Sequence, residues 1–184
     1  MTRAEKYVRA YLSSELEEVR NSSIVGIENG LTLYEKTIIY HYTKDGYASV
    51  NPALRGGTKR SELSALLERI LKKLPDYVYE VHRTAFLGTS ALERYHRALR
   101  TGNPVTELAF TSASRSPKTA RIMPRYNTRF QIGSKHGKSI EDISYAGSHT
   151  EENEKEVLFL PGSKFEVLSV TTTPHYVLIK MVEL

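Results

Sequence analysis

The 184-residue sequence has no cysteine. That excludes disulfides, thiol nucleophiles and thiolate metal sites together. No apolar run reaches the roughly 20 residues that a membrane-spanning helix needs, so a soluble chain is expected. The opening Met1-Thr2-Arg3-Ala4-Glu5-Lys6 lacks the apolar stretch of a signal peptide, so Sec-type export is not expected from it. Other secretion systems leave no such mark. The six histidines show no paired metal spacing: His82 and His96 fall in different expected elements, and His136 and His149 fall in polar loops. No metal is therefore expected. Nor is there a basic arm. The net charge of +5 is scattered, with small clusters at Lys59-Arg60 and Lys72-Lys73. It suits an anionic ligand, an acidic protein or nucleic acid without choosing among them. Internal repeats, low-complexity segments and linkers are also missing. The expectation is a single domain over residues 1–184, with helices to about 76 and a β core from about 77 to 184.

What is present falls into two patterns. Val8, Tyr11, Leu12, Leu16 and Val19 recur at a helical period, predicting a helix over about 5–19. Leu31, Tyr34, Ile38 and Tyr42 predict a second over 31–44, broken at Asp45-Gly46 and followed by a polar, turn-rich stretch to Gly57. Leu63, Leu66, Leu67, Ile70 and Leu74 predict a third over 61–74. Strand patterns begin at 77–83. Ser90 and Glu93 have capping-box spacing for a short helix through about Leu99. Further strands are expected at 108–112, 127–132, 140–144, 156–160, 164–170 and 176–182. Helices first and strands second imply an α+β fold, N-terminal helices followed by a mainly antiparallel two-sheet β core.

Three polar features sit where the strand pattern predicts burial. Arg83 follows the apolar strand from Tyr77, and an arginine there can fork two hydrogen bonds to a phosphate or carboxylate. A structural salt bridge is the simpler alternative. In Phe110-Thr111-Ser112-Ala113-Ser114 hydroxyls follow an apolar strand, with Ser112 expected on the face of Leu108 and Phe110; a satisfied strand-end serine would look the same. Glu154 and Glu156 open the apolar run to Leu160. In a strand they would share a face, roughly 7 Å apart. With Glu151 and Glu152 nearby, a solvated acidic strand end is the plain reading.

In combination these features are more specific. Arginine, then Ser-x-Ser, then Glu-x-Glu resembles the arginine–serine–glutamate class of mono-ADP-ribosyltransferases, the group of many bacterial toxins and effectors. Tyr42-Thr43-x-x-Gly46-Tyr47, Val50-Asn51-x-x-Leu54-Arg55 and the stretch from Glu156 to Val167 resemble the family's further segments. The likeness covers roughly Leu31 to Met181. Ala113 stands where the family commonly has Thr, and His82 where an aromatic often precedes the arginine. The resemblance implies an ADP-ribosyltransferase-like fold with NAD as substrate and no metal. Arg83 would hold the pyrophosphate, with Thr84, Ala85 and Ser114 also in the NAD site. Ser112 would orient Glu156, and Glu156 would stabilise the oxocarbenium-like ribose. A loop over Ser116–Pro124 would cover NAD, with Arg121 on a phosphate, and a loop over Tyr145–Asn153 would face the acceptor.

In such enzymes Glu-x-Glu accompanies arginine modification, which makes Glu154 the acceptor-facing acid. A protonated guanidinium has no lone pair to attack with, and a carboxylate can orient it and take its proton. The implied partners are a protein substrate in a target cell and, as a further candidate, a cognate immunity or inhibitor protein. The implied setting is a secreted or translocated bacterial effector in a target-cell cytoplasm. The alternatives are an NAD glycohydrolase, a nucleic-acid or protein-binding module, and an inactive relative. No recognition helix or aromatic RNA-binding motif supports the second, and neither nucleic acid nor a membrane is an expected partner.

Overall fold

The structure is a computed structural model that describes residues 1–57, 60–119 and 125–184. The chain divides into two compact units, each made of two stretches: 1–75 with 138–156, and 76–137 with 157–184.

The first unit is helical. It contains α1 (Arg3–Tyr11), α2 (Ser13–Arg20), a 3₁₀ turn (Ser23–Gly26), α3 (Leu33–His41), a π turn (Tyr42–Gly46), α4 (Tyr47–Arg55) and α5 (Glu62–Leu71). Side-chain caps start three of the helices: the hydroxyls of Thr2, Thr32 and Ser61 accept from the backbone amides of Glu5, Glu35 and Ser64, supplying partners for donors that a helix start leaves open. At Thr32 the Glu35 carboxylate returns the bond, completing a capping box. The expected first helix is two helices, because Leu12 leaves helical geometry at φ −129°, ψ 38°. Its side chain stays in the core with those of Val8, Leu16 and Val19, so the apolar stripe survives the break.

The expected stop at Asp45-Gly46 is absent. The chain widens into the π turn and runs on into α4, which tolerates an internal Pro52. Gly46 serves a different purpose from a turn: a Cβ there would lie 3.2 Å from the His41 ring and 3.3 Å from a Leu63 methyl. Its place is set by close packing rather than by chain reversal. Lys36 is buried, and its ammonium donates to the carbonyls of Ile24, Val25 and Ile27 at 3.1, 3.2 and 2.5 Å. One cation thus closes the end of the 3₁₀ turn. The stretch from Lys138 to Glu156 joins this unit through Lys138 Nζ on the Leu74 carbonyl (2.8 Å), the Tyr145 amide on Thr43 Oγ1 (2.8 Å) and edge-on packing of Tyr145 against Tyr40. The strand expected at 140–144 is instead a turn, closed by the amides of Ile143 and Ser144 on the Ile140 carbonyl.

The second unit is built on a sheet: β1 (Asp76–Tyr77), β2 (Glu80–Ala85), α6 (Thr89–Thr101), β3 (Val105–Glu107), β4 (Thr111–Ser114), β5 (Thr128–Gly133), β6 (Gly137–Ser139), β7 (Glu156–Phe159), β8 (Ser163–Thr172) and β9 (Val177–Glu183). The strands run in the order β1-β6-β7-β4-β2-β5-β9-β8-β3. Where two sheets were expected, the order is continuous, because β5 pairs antiparallel with β2 on one side and parallel with β9 on the other. Val81, Phe130, Ile132, Val157, Phe159, Phe165 and Ile179 form the core. α6 lays Tyr95 edge-on to Phe130 at 5.4 Å. The expected capping box at Ser90 and Glu93 does not form: α6 starts two residues earlier, with Gly88 as its cap, and Glu93 pairs with Arg100 at 2.7 Å.

Candidate functional site

In the second unit, β2 and β5 are in register from Glu80↔Gly133 to Ala85↔Thr128. Buried Val81 opposite buried Ile132 fixes that register, since a one-residue slip would turn the apolar side chains to the other face. Arg83 therefore takes the position opposite Phe130, and its Nη1 donates to the Ser112 carbonyl at 2.6 Å. This joins two residues that lie far apart in the sequence. The visible bond is to the Ser112 backbone and not to its hydroxyl. β4 starts at Thr111, so Leu108, expected to share a strand face with Ser112, lies outside the strand and is exposed. Phe110 is buried ahead of the strand, and Ala113 packs into the core. Ser114 lies opposite His82, and its hydroxyl accepts the Ser116 amide at 3.0 Å.

Thr84 and Ala85 complete β2, opposite Arg129 and Thr128. The segment after them is closed by Asn127, a residue that periodicity does not mark. Its side chain accepts from the Leu87 amide and donates to the Leu87 carbonyl, both at 2.9 Å, while its own amide donates to the Ala85 carbonyl at 3.3 Å. An amide side chain just before a strand, after a polar loop, is the only sequence cue for it. Burial lowers the pKa of His82; Arg129 acts in the same direction and Glu80 against it. Arg121 lies outside the described residues, as does part of the loop expected over 116–124.

Glu154 and Glu156 close the second stretch of the first unit, Glu156 being also the first residue of β7, and their expected relation needs correction. They are not two residues of one strand. β7 begins at Glu156, and Lys155 has φ +50°, in the left-handed region. That conformation costs a non-glycine residue about 1–2 kcal/mol, and it breaks the alternation that would have put both acids on one face. Glu156 is buried, 7% exposed, at the head of a strand whose four residues are all buried, and its carbonyl accepts the Ile140 amide at 3.0 Å. Glu154 is exposed, with its amide on the Ala146 carbonyl at 2.9 Å. Protein atoms still crowd its carboxyl; that desolvation, then the Glu152 carboxylate, raises its pKa. The two acids thus differ in kind: one is buried at the head of a strand, the other lies on an exposed stretch yet is crowded enough to hold its proton more readily than an ordinary glutamate. Among the described residues no group of three or more His, Asp or Glu is placed to hold a metal ion.

Against known proteins, the sequence profile of the ADP-ribosyltransferase exoenzyme family matches residues 17–182. A Mycobacterium avium protein, Mav, provisionally named an NAD+–arginine ADP-ribosyltransferase, is 37% identical over 150 residues, covering 78% of this chain and 17% of its own length. The NAD+–protein-arginine ADP-ribosyltransferase Tre1 of Pseudomonas putida is 33% identical over 130 residues, covering 68% and 24%. The chain therefore spans about a quarter or less of these two relatives. Among solved structures, exoenzyme S of Pseudomonas aeruginosa, in complex with human 14-3-3 protein beta and carba-NAD, superposes with a TM-score of 0.74 at 20% identity, over 98% of this chain and 86% of that one.

Proposed function

Since the chain belongs to the ADP-ribosyltransferase exoenzyme family, we propose that it is an NAD-dependent mono-ADP-ribosyltransferase that modifies arginine on a protein. We further propose that residues 1–184 act as one catalytic domain. The observation that carries this reading is the unlike placement of the two glutamates, Glu156 buried at a strand head and Glu154 exposed beside it. Two chemical tasks need two such acids. NAD as substrate is supported by the carba-NAD bound to exoenzyme S. Arginine and a protein acceptor are supported by the names of Mav and Tre1.

In the proposed reaction the bond between ribose C1′ and the nicotinamide nitrogen breaks, and nicotinamide leaves with the electron pair. Positive charge develops on the ribose, as in glycoside hydrolysis. Glu156 would face that charge; a fixed carboxylate in a buried setting stabilises it without reorganising. Arg83 would hold the pyrophosphate with donors beyond the one on the Ser112 carbonyl. Thr84, Ala85 and Ser114 would lie along the dinucleotide, Arg121 would meet a phosphate, and Ser112 would orient Glu156. Glu154 would pair with the guanidinium, direct one nitrogen to C1′ and take its proton as the new C–N bond forms. The enzyme would act as a secreted or translocated bacterial effector on a protein of the target cell, with a cognate inhibitor protein in the producing cell.

The test is incubation with labelled NAD and a cell lysate, followed by mass spectrometry of the labelled proteins. Label on arginine with matching nicotinamide release is expected. Release without labelled protein would assign the glycohydrolase reaction instead, and label on another residue type would overturn the acceptor.

A further inference from the structure

The backbone between Glu154 and β7 is bonded by a side chain that the proposed reaction does not use. Asn153 Oδ1 accepts the Lys155 amide at 2.9 Å, and Asn153 Nδ2 donates to Glu141 Oε1 at 2.8 Å. Glu141 is itself 8% exposed, and its carbonyl accepts the Ser148 amide at 2.9 Å. The bend there is so tight that a Cβ on Gly147 would stand 2.2 Å from that carbonyl. Asn153 therefore links a rigid, buried anchor to the one residue of the chain other than glycine whose φ is positive among the described residues. Its position between the anchor and the strained residue is what a clamp requires, because a left-handed lysine reverts to extended backbone unless its surroundings hold it.

We propose that Asn153 is a positioning residue for acceptor choice: by fixing Lys155 in the left-handed conformation against Glu141, it aims Glu154 away from the line of β7 and leaves Glu156 in the strand. This rests on the proposed roles of the two acids. Without the clamp Lys155 relaxes, and Glu154 moves while Glu156, held by its strand, does not. Alignment of the guanidinium then suffers and the ribose chemistry does not.

The experiment uses the full chain with agmatine as a free guanidinium acceptor. Asn153→Ala should lower transfer to agmatine at least tenfold, with the KM for NAD and the rate of NAD hydrolysis within twofold of wild type. Asn153→Asp keeps the acceptor for the Lys155 amide but sets a carboxylate against Glu141. It should lose transfer likewise and regain it, at least threefold, when Glu141→Gln restores a donor. Equal loss of hydrolysis and transfer, unchanged transfer, or failure of the Asp/Gln pair to recover would each overturn the inference. If Asn153→Ala does not fold, the Asp/Gln comparison decides alone. If wild type hydrolyses NAD but modifies no guanidinium, the proposed reaction fails, and this inference is then read from hydrogen exchange. The Lys155 amide should exchange at least tenfold faster in Asn153→Ala, and unchanged exchange would overturn the clamp.

Discussion

A carboxylate in a strand and a carboxylate on a turn answer differently to the same substitution. Glu156→Gln keeps shape and loses charge. Nicotinamide release should fall at least tenfold, about 1.4 kcal/mol of transition-state stabilisation, in a protein with an unchanged thermal melt; a smaller loss would remove Glu156 from the chemistry. Glu154 brings a pH dependence of its own. Its pKa is raised by crowding and by Glu152, so transfer to arginine, which needs the ionised form, should fail as pH drops through a value above the usual 4.5. The sign for stability is the reverse. A folded pKa above the unfolded one favours the fold at low pH, and that contribution is lost as pH rises through the folded value. Glu154→Gln should therefore suppress transfer at neutral pH while leaving the melting temperature equal or slightly higher, a pair of changes read by assay and by calorimetry. Arg83→Lys loses the planar fork and with it the bond to the Ser112 carbonyl. Weaker NAD binding by titration calorimetry is expected, and unchanged affinity would make Arg83 a structural residue.

Among the elements, the 3₁₀ turn at Ser23–Gly26 depends on α3 through a single ammonium. Lys36→Met preserves the length of the side chain and takes the ammonium from three carbonyls, of which that of Ile24 keeps the Ile27 amide. The loss should be about 2 kcal/mol in denaturant unfolding, at roughly 1–3 kcal/mol for a buried group left unpaired and less for the part-exposed carbonyls of Val25 and Ile27; a change under about 1 kcal/mol would mean that the turn re-forms without it. Helix starts were the readable part of this unit, since Ser61 and the apolar positions of α5 follow capping and periodicity rules. The π turn was not readable. Asp45-Gly46 has the composition of a stop, and only the tertiary crowding of Gly46 by His41 and Leu63 shows why the glycine is there. In the same way, Glu154 and Glu156 were found by type and spacing, but their relation was misjudged. The alternation rule assumes extended backbone, and no local signal announces a left-handed lysine; the asparagine two residues before it was the available hint.

For the molecule as a whole, the α+β order of elements was legible, because helical and alternating periods occupy separate halves of the sequence. The allegiance of residues 138–156 was not. Ile140 and Ile143 are buried and read locally as strand, while Lys138 and the Tyr145 amide bind Leu74 and Thr43 in the helical unit. The division of the chain into interleaved stretches also bears on how the protein is made. Synthesis delivers 1–75 first, then 76–137, and only afterwards the segment that completes the helical unit. Domains commonly fold as units while the chain emerges, but here the first helices must wait with a missing piece until residue 156 has appeared. Closing that piece onto Leu74 and Thr43 is a long-range step of the kind that slows folding. Glu154 and Glu156 lie on the segment that arrives last in that unit, so a nascent chain stalled before them would lack both of the acids proposed for the chemistry.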